Sequence, residues 1–463
     1  MDNFENGKIS KVLFKFALPC IISLLIGALY NMVDQIFIGN SELGFLGNAA
    51  TGVSFPIICI VNAFAWSIGD GGVASLSIYN GRKDKEKMNK VVGTSISASL
   101  IISIILSIIS LIFSTQLLKL FGASDNTLQM ADDYFRIIAL FFPFYLLSNV
   151  LNGIIRSDGS PTLAMILISL GAVINIILDP IFIFVLHLGI KGAAYATVIG
   201  QFISFTAQFI YLIKPKTFKL NLKSFIIDPK LLKQTITLGG ATFITQVSIA
   251  IMSVVSNMTL FSFGELSKYG SDIPIAVFSI QTKVYTIVNN IIVGIALGGQ
   301  PLLGYNYGAN NMQRVKQTFK LILFSSIIVG AFATIIFEAC PQVIINLFGS
   351  GDALYNEFAI KTFRIYLSLS IVTGIIKVST IFFQSIGKSK QAFIASLMKE
   401  LICFIPLTIA LSFLFENMAV GKGIYGILFA APISDLIAGV VIIILIYKFF
   451  KEFKKEPIKE VEL

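Results

Sequence analysis

The sequence LFGASD at residues 120–125 returns as LFGSGD at residues 347–352, about 227 residues later. Nearly the same offset relates two further pairs of stretches, FRI at 135–137 and 363–365, and SDGS at 157–160 with SIGK at 385–388. An offset that stays constant over several motifs indicates an internal repeat rather than chance. The chain is therefore predicted to contain two copies of one structural unit.

The composition is that of a membrane protein. Hydrophobic residues make up 56% of the chain and charged residues 13%, whereas soluble domains carry about 25% charged residues. The four cysteines have neither the spacing of a metal site nor that of a disulfide framework, and there is a single histidine. A duplicated and strongly apolar chain is typical of transporters built from two related helix bundles.

Long apolar runs predict twelve membrane helices, six in each copy. We therefore expect an all-α polytopic membrane protein with two six-helix repeats. The predicted helices lie near 13–38, 51–79, 91–117, 132–154, 161–186 and 191–213, and then near 235–262, 273–305, 316–345, 358–384, 391–414 and 422–449.

The polar segment 214–233 divides the chain into an N-lobe, 1–213, and a C-lobe, 234–463, which ends in a basic tail. Lysine and arginine cluster in alternate loops, so the positive-inside rule predicts cytoplasmic termini in a plasma-membrane protein. Six crossings per copy give both copies the same orientation and make them parallel repeats. Anionic lipid at the cytoplasmic surface explains the net charge of +10 without a nucleic-acid partner. No cleavable signal peptide is expected.

Ionisable residues deep in a membrane helix are costly and suggest function. Asn175 and Asp179 are four residues apart and share a helix face, and Pro180 is expected to kink the helix and free a carbonyl oxygen. Such oxygens suit sodium, and the carboxylate could instead carry a proton. Asp34 lies in a polar patch of the first helix, and Thr197 could add a hydroxyl. The alternatives are that Asp179 only braces the kink and that Asp34 is hydrated near the outer surface.

Other charges within the predicted helices receive no definite role. Asp70 stands in a glycine-rich stretch, where a structural or gating role is the stronger expectation. The second copy has no acid at the positions equivalent to Asp34 and Asp179, so a coupling cation is expected in the first half. The remaining charges of this kind are Lys283, Lys377, Lys399, Glu400 and Asp435.

Several motifs resemble the MATE (multidrug and toxic compound extrusion) family. They are ALP at 17–19, YNMVD at 30–34, GSPT at 159–162 and, most specifically, QPLLGYNYGA at 300–309. The resemblance implies a two-lobed, twelve-helix antiporter that exports cationic or amphipathic organic compounds in exchange for sodium or protons, without a cofactor. It also implies a cation site in the N-lobe, at which Asp34, Asn175, Asp179 and Thr197 match the ligands and Tyr134 matches a neighbouring tyrosine. A C-lobe cation site, found in another branch of the family, is not expected here.

The substrate cleft is expected to be lined by aromatic and amide side chains, although interhelical hydrogen bonding is an equally good reading of each amide. A monomer with its own cleft is sufficient for transport. The candidates are Tyr30, Asn31, Asn149, Asn152, Gln201, Gln246, Asn257 and Gln281.

Three other classes of protein were weighed against a drug antiporter. A flippase for lipid-linked oligosaccharides is the main alternative, because Lys377 and Lys399 could line a cationic cleft. An ATP-driven pump is disfavoured, since the sequence GKS at 387–389 lacks the leading glycine of a phosphate loop. A membrane-embedded enzyme is also disfavoured, because a single histidine leaves few groups for a catalytic or metal site.

Overall fold

The computed structural model describes residues 2–42, 44–123, 125–347 and 353–453 of the 463-residue chain. Ser124, most of the second copy of the opening motif (348–352) and the end of the basic tail (454–463) lie outside the described residues. Within the described ranges all regular structure is helical. This confirms the predicted class, an all-α polytopic membrane protein.

Each half of the chain contains the same order of elements: three long helices, one short helix, a bent pair and further long helices. The first half contains α1 (Asp2–Glu5), α2 (Ile9–Gly39), α3 (Gly44–Gly81), α4 (Lys85–Ile112), α5 (Ser114–Leu120), α6 (Asp125–Leu140), α7 (Phe142–Ser157), α8 (Pro161–Pro180), a π-helical segment (Ile181–Val185) and α9 (Gly189–Tyr211). The second half contains α10 (Pro229–Glu265), α11 (Asp272–Gly308), α12 (Met312–Ala339), α13 (Pro341–Leu347), α14 (Ala353–Tyr366), α15 (Ser370–Ser385), α16 (Ser389–Leu397), a π-helical segment (Met398–Phe404), α17 (Ile405–Met418) and α18 (Ile424–Phe453).

The described residues form ten helices that are long and apolar enough to cross a membrane, and twelve spans if each bent pair counts as one. The fourth and tenth spans were predicted as continuous runs, but they bend by 53° and 48°. Pro143, in the first turn of α7, explains the first bend, because proline cannot continue a helix without a clash. At the second bend, Ser368 and Ser370 donate side-chain hydrogen bonds to carbonyls three residues back, which compete with the helical pattern.

Helix α4 shows which solvent surrounds the bundle. Its serines are buried, among them Ser99 and Ser103 at 0% exposure, whereas Ile101, Ile108 and Ile112 are about half exposed or more. A water-soluble protein would reverse this pattern. Small polar residues inside and large apolar residues outside are the arrangement of a helix that packs tightly on its neighbours and faces lipid.

The turns at equivalent positions of the two halves have the same geometry. Lys83 and Asn310 both adopt positive φ, near 60° and 56°. The next residues, Asp84 and Asn311, each cap the following helix by accepting a hydrogen bond from a backbone N–H three residues on. The repeat seen in the sequence is therefore also a repeat of local backbone structure.

The segment between the halves is held against the first half. Asp158, fully buried, accepts hydrogen bonds from the backbone N–H groups of Lys216 and Thr217, from the Thr217 hydroxyl and from the Tyr211 hydroxyl. Gly93 of α4 lies so close to the segment that a Cβ atom there would be 1.9 Å from the Ser224 carbonyl oxygen. The second copy has isoleucine, Ile386, in place of Asp158.

Two of the helix pairs that join the halves meet at one end of the bundle, the end where α2 begins and α3 finishes. In the first pair, α3 with α10, a Cβ atom on Gly239 would lie 1.8 Å from the Ser67 carbonyl oxygen. In the second pair, α2 with α11, a Cβ atom on Gly298 would lie 2.4 Å from the Ala17 Cα atom. Such distances are possible only because glycine has no side chain. We call this the closed end of the bundle.

Candidate functional site

Asp34 of α2 and Asp179 of α8 meet inside the first half. Asp34 is 9% exposed and Asp179 is fully buried, and their carboxyl groups are close enough to share a hydrogen bond. Two adjacent carboxylates with little access to water repel each other and lack hydration. This pair therefore requires a proton or a bound cation between or beside its oxygens.

Asn175 and Thr197 complete the cluster. The Asn175 amide nitrogen lies 3.2 Å from Asp179 Oδ1 and 3.3 Å from Thr197 Oγ1, so it can donate to both. Asn175 and Asp179 share a face of α8, as their spacing predicts, and Thr197 comes from the adjacent helix α9. The structure thus brings all four predicted ligands together.

Glycines allow α8 and α9 to approach closely enough for this contact. A Cβ atom on Gly171 would lie 2.6 Å from the Gly200 carbonyl oxygen, and one on Gly200 would lie 2.4 Å from the Gly171 carbonyl oxygen. Gly200 also lies opposite the Cβ atom of Asn175. The glycine pair therefore sets the distance between the helices that carry Asn175 and Thr197.

Three oxygens of the cluster have no hydrogen-bond donor among the described residues: Asp34 Oδ1, Asp179 Oδ2 and Asn175 Oδ1. Buried polar atoms are normally satisfied, so unpaired acceptors require an explanation. Two carboxylate oxygens and one amide oxygen are hard ligands of the kind that an alkali cation prefers, and a proton on either carboxyl group would supply a donor instead. The donor set fits both a sodium ion and a proton.

Two tyrosines lie beside the carboxylates. Tyr134 of α6 is 7% exposed, and its hydroxyl lies within electrostatic range of Asp34 and Asp179. Tyr30 precedes Asp34 by one helical turn and is within the same range. The structure therefore places both Tyr134 and Tyr30 beside the predicted site.

The amides predicted to line the cleft differ in exposure. Asn31 and Asn257 are exposed, whereas Gln281 is 2% exposed. Asn152 is half-buried and donates to the Ala164 carbonyl oxygen of α8, a contact between helices. Asn149 is half-buried and accepts a hydrogen bond from the Trp66 indole. The remaining two, Gln201 and Gln246, are half-buried.

Helices α2 and α11 separate away from the closed end. Ala17, Leu24 and Asn31 share one face of α2. Ala17 and Leu24 contact α11, whereas Asn31 is exposed. No atom lies within 4 Å of the position that a Cβ atom would take on Gly27 of the same helix. A face that is packed at one end and exposed at the other indicates a cleft between the halves, narrowing toward the closed end.

A polar network at the base of this cleft was not predicted. Arg156, 7% exposed, donates to Gln300 Oε1 at 3.4 Å, and the Gln300 amide donates to the Asp70 carbonyl oxygen at 3.4 Å. The Asp70 carboxylate accepts a hydrogen bond from Thr242 at 3.0 Å, and the Gln384 amide donates to the Thr242 hydroxyl at 3.1 Å. The network joins both halves of the chain. Its one sequence signal was Asp70 between glycines, for which a gating role was considered.

Four of the charged residues predicted within the helices of the second half form two ion pairs. Lys377 Nζ lies 2.8 Å from Glu400 Oε1, and Lys399 Nζ lies 2.8 Å from Asp435 Oδ1. Lys399 also donates to Thr373. The side chains are between 5% and 17% exposed, so each ammonium group is neutralised by a buried partner. These lysines are not free cations in the cleft.

Comparisons with known proteins give one consistent result. A sequence model of the family described as MatE matches residues 19–181 and 241–414. The chain is 29% identical over 449 residues to multidrug export protein MepA of Staphylococcus haemolyticus (strain JCSC1435), covering 96% of this chain and 94% of that protein. It is 25% identical over 449 residues to MepA of Staphylococcus saprophyticus subsp. saprophyticus (strain ATCC 15305 / DSM 20229 / NCIMB 8711 / NCTC 7292 / S-41), covering 96% and 95%. A crystal structure of MATE in the bent conformation has the same fold, with a TM-score of 0.88 at 24% identity over 98% of each chain.

Proposed function

The chain belongs to the MATE family, whose members are membrane transporters and not enzymes, and on that premise we propose that it exports cationic or amphipathic organic compounds in exchange for Na⁺ or H⁺. The observation that carries the proposal is the buried pair Asp34 and Asp179 with its unpaired oxygens. A single cation, either a proton or sodium, relieves the repulsion between the two carboxylates. No cofactor is needed for this chemistry.

The helix α2 connects the proposed ion site to the cleft. It carries Asp34 on one face, while another face packs on α11 at the closed end and lines the cleft farther along. Occupation of the ion site changes the contacts of α2 with α8, and therefore the position of the cleft wall. Coupling requires only that the ion and the substrate stabilise different states, because a ligand shifts an equilibrium by its differential affinity.

Transport would proceed by alternating access, with the N-lobe (1–213) rocking against the C-lobe (234–463) and the segment 214–233 as the linker. The closed end carries the basic N-terminal residues and the basic loop before α4, so the positive-inside rule assigns it to the cytoplasm and places both termini there. The described conformation is then open to the outside. One charge entering across about 100 mV supplies about 2.3 kcal/mol.

The contacts of Lys377 and Lys399 do not favour the flippase. That alternative rested on Lys377 and Lys399 as cleft cations, and both are paired with buried acids. The chemistry of the first half, in contrast, is anionic and buried, as expected of a site for a coupling cation.

The proposal is tested by efflux of the fluorescent cation ethidium from proteoliposomes, under a sodium gradient and separately under a pH gradient. Asp179→Asn should abolish gradient-driven efflux, because it removes one of the two carboxylates. Asp133→Asn is the matched control, since Asp133 lies near the surface, 30% exposed and paired with Lys191. Efflux by wild type under neither gradient, with the protein folded, would refute antiport. Equal efflux by wild type and Asp179→Asn would refute the assigned site.

A further inference from the structure

One charged side chain within a helix long enough to cross a membrane, Lys283 of α11, is exposed and has no partner among the described residues. Lys283 follows the start of α11 at Asp272 by eleven residues, which at 1.5 Å per residue is about 16 Å along the helix. It is exposed, and among the described residues no hydrogen bond or ion pair occupies its ammonium group. The other deep charges of the described helices are buried or hydrogen-bonded: Asp34, Asp70, Arg156, Asp179, Lys377, Lys399, Glu400 and Asp435.

Helix geometry places Lys283 on the face of α11 that is directed at the first half. Residues 283, 287, 290, 294 and 298 lie within a narrow sector of the helix, because they are spaced by three or four positions. Three of them contact α2: Asn290 donates to the Leu24 carbonyl oxygen, Gly294 lies against Ile21, and Gly298 lies against Ala17. Ile287, 43% exposed, and Lys283 continue this face beyond the point where the helices separate.

The opposite wall has polar side chains at the matching level. Because α2 and α11 are antiparallel and meet at Leu24 and Asn290, the positions that follow on α2 are Asn31 and Gln35, both exposed. Ser279 and Thr282, near Lys283 on α11, are also exposed. Polar residues in the middle of a membrane helix are expected to line a water-filled cavity rather than lipid.

We propose that Lys283 is the residue that binds the acidic group, a carboxylate or a similar anion, of amphipathic zwitterionic substrates in the cleft. This rests on the proposed function and adds a recognition residue to it. An ammonium group in a cleft with few competing charges donates strong, charge-assisted hydrogen bonds to a carboxylate. Asn31 and Gln35 provide neutral amides on the other wall. A cleft for simple cations alone would gain nothing from an unpaired lysine, because like charges repel.

The test compares two probes that differ only at the acid: the cationic ethyl ester rhodamine 6G and its zwitterionic free acid. Binding to the purified full chain is measured by fluorescence anisotropy at constant salt. Wild type should bind both probes. Lys283→Gln should weaken binding of the free acid about tenfold and leave binding of the ester within about twofold. Lys283→Arg should retain binding of the acid, because the charge is kept.

Lys191→Gln is the matched control, because Lys191 lies at the start of α9 and its side chain pairs with Asp133. It should bind both probes as wild type does. Binding of the acid that is unchanged in Lys283→Gln, or an equal loss for acid and ester, would overturn the inference. Wild type that binds the ester but not the acid would overturn it while leaving the proposed function intact. Binding of neither probe would contradict both.

Discussion

Gly239 holds the two halves together at the closed end, so adding one methyl group there should favour the opposite conformation. A Cβ atom on Gly239 would lie 1.8 Å from the Ser67 carbonyl oxygen, whereas ordinary contact begins near 3.4 Å. Helices α3 and α10 must therefore separate by about 1.5 Å in Gly239→Ala. Overpacking of this kind costs about 1–3 kcal/mol. The ratio of molecules in which this end is closed to molecules in which it is open should fall about 5- to 150-fold.

The chain contains its own reporter for this change. Cys20 of α2 is 7% exposed and contacts Arg156 at the base of the cleft, behind the closed end. With Cys59, Cys340 and Cys403 replaced by serine, the rate at which a hydrophilic maleimide alkylates Cys20 measures how often this region opens. The alkylation rate follows the population of molecules in which the closed end has opened. It should therefore rise by the same factor of about 5 to 150 in Gly239→Ala.

The neighbouring residue provides the control. A Cβ atom on Gly240 would have no atom within 4 Å, so Gly240→Ala makes the same chemical change in the same helix without a clash. Its alkylation rate should remain within about twofold of wild type. Equal rates for the two variants, with both folded by circular dichroism and gel filtration, would refute the role assigned to this interface.

Three further substitutions test the contacts that support the fold. Asp158→Ala removes the acceptor for the linker, and the unpaired donors should lower stability by about 2 kcal/mol or more and expose residues 214–228 to protease. Gly93→Val should have the same effect, because the valine side chain would clash with the Ser224 carbonyl oxygen. The melting temperature of this variant should fall by several degrees. Lys377→Met should destabilise the protein by about 3 kcal/mol because it leaves Glu400 buried and unpaired, and Lys377→Met with Glu400→Gln should recover most of the loss.

Two of these variants, Gly93→Val and Lys377→Met, have a control elsewhere in the chain. Gly52→Ala adds a methyl group where no atom lies within 4 Å. Lys90→Met breaks an ion pair with Glu86 whose side chains are 44% and 79% exposed, and it should cost less than about 1 kcal/mol. If the controls lower the melting temperature as much as the test variants do, the contacts do not have the importance given to them here.

The sequence predicted the number and type of helices because a helix that crosses lipid must be long and apolar. The internal repeat indicated which helix of one half corresponds to which helix of the other. The bends at Phe141 and after Tyr366 were missed. Hydropathy averages over a window and cannot detect a proline in a first turn or two serines that bond to the backbone. The turns at Lys83 and Asn310 show the reverse case, in which a local feature of the repeat carried over directly to the structure.

Helix spacing predicts that Asn175 lies beside Asp179, and the resemblance to the MATE family implied that Asp34 and Thr197 belong to the same candidate site. The glycine pair that brings Thr197 to them was not recognised, since a close approach between helices depends on both partners. Asp158 was noted only as part of a repeated motif, although it holds the linker. Gln281 was named for the cleft, yet it is buried and Lys283, two residues on, is exposed. Side chains two positions apart on a helix point to nearly opposite sides, and hydropathy alone does not show which of the two faces the cleft.

The most direct test of antiport is whether the coupling ion and the substrate weaken each other's binding. Binding of ethidium to the purified protein should be measured by fluorescence anisotropy over a range of sodium concentrations at fixed pH, and over a range of pH without sodium. We expect one of the two ions to raise the Kd of ethidium in wild type, and this dependence to disappear in Asp179→Asn but to persist in Asp133→Asn. A Kd that responds to neither ion, or a dependence that survives in Asp179→Asn, would contradict antiport through the pair Asp34 and Asp179.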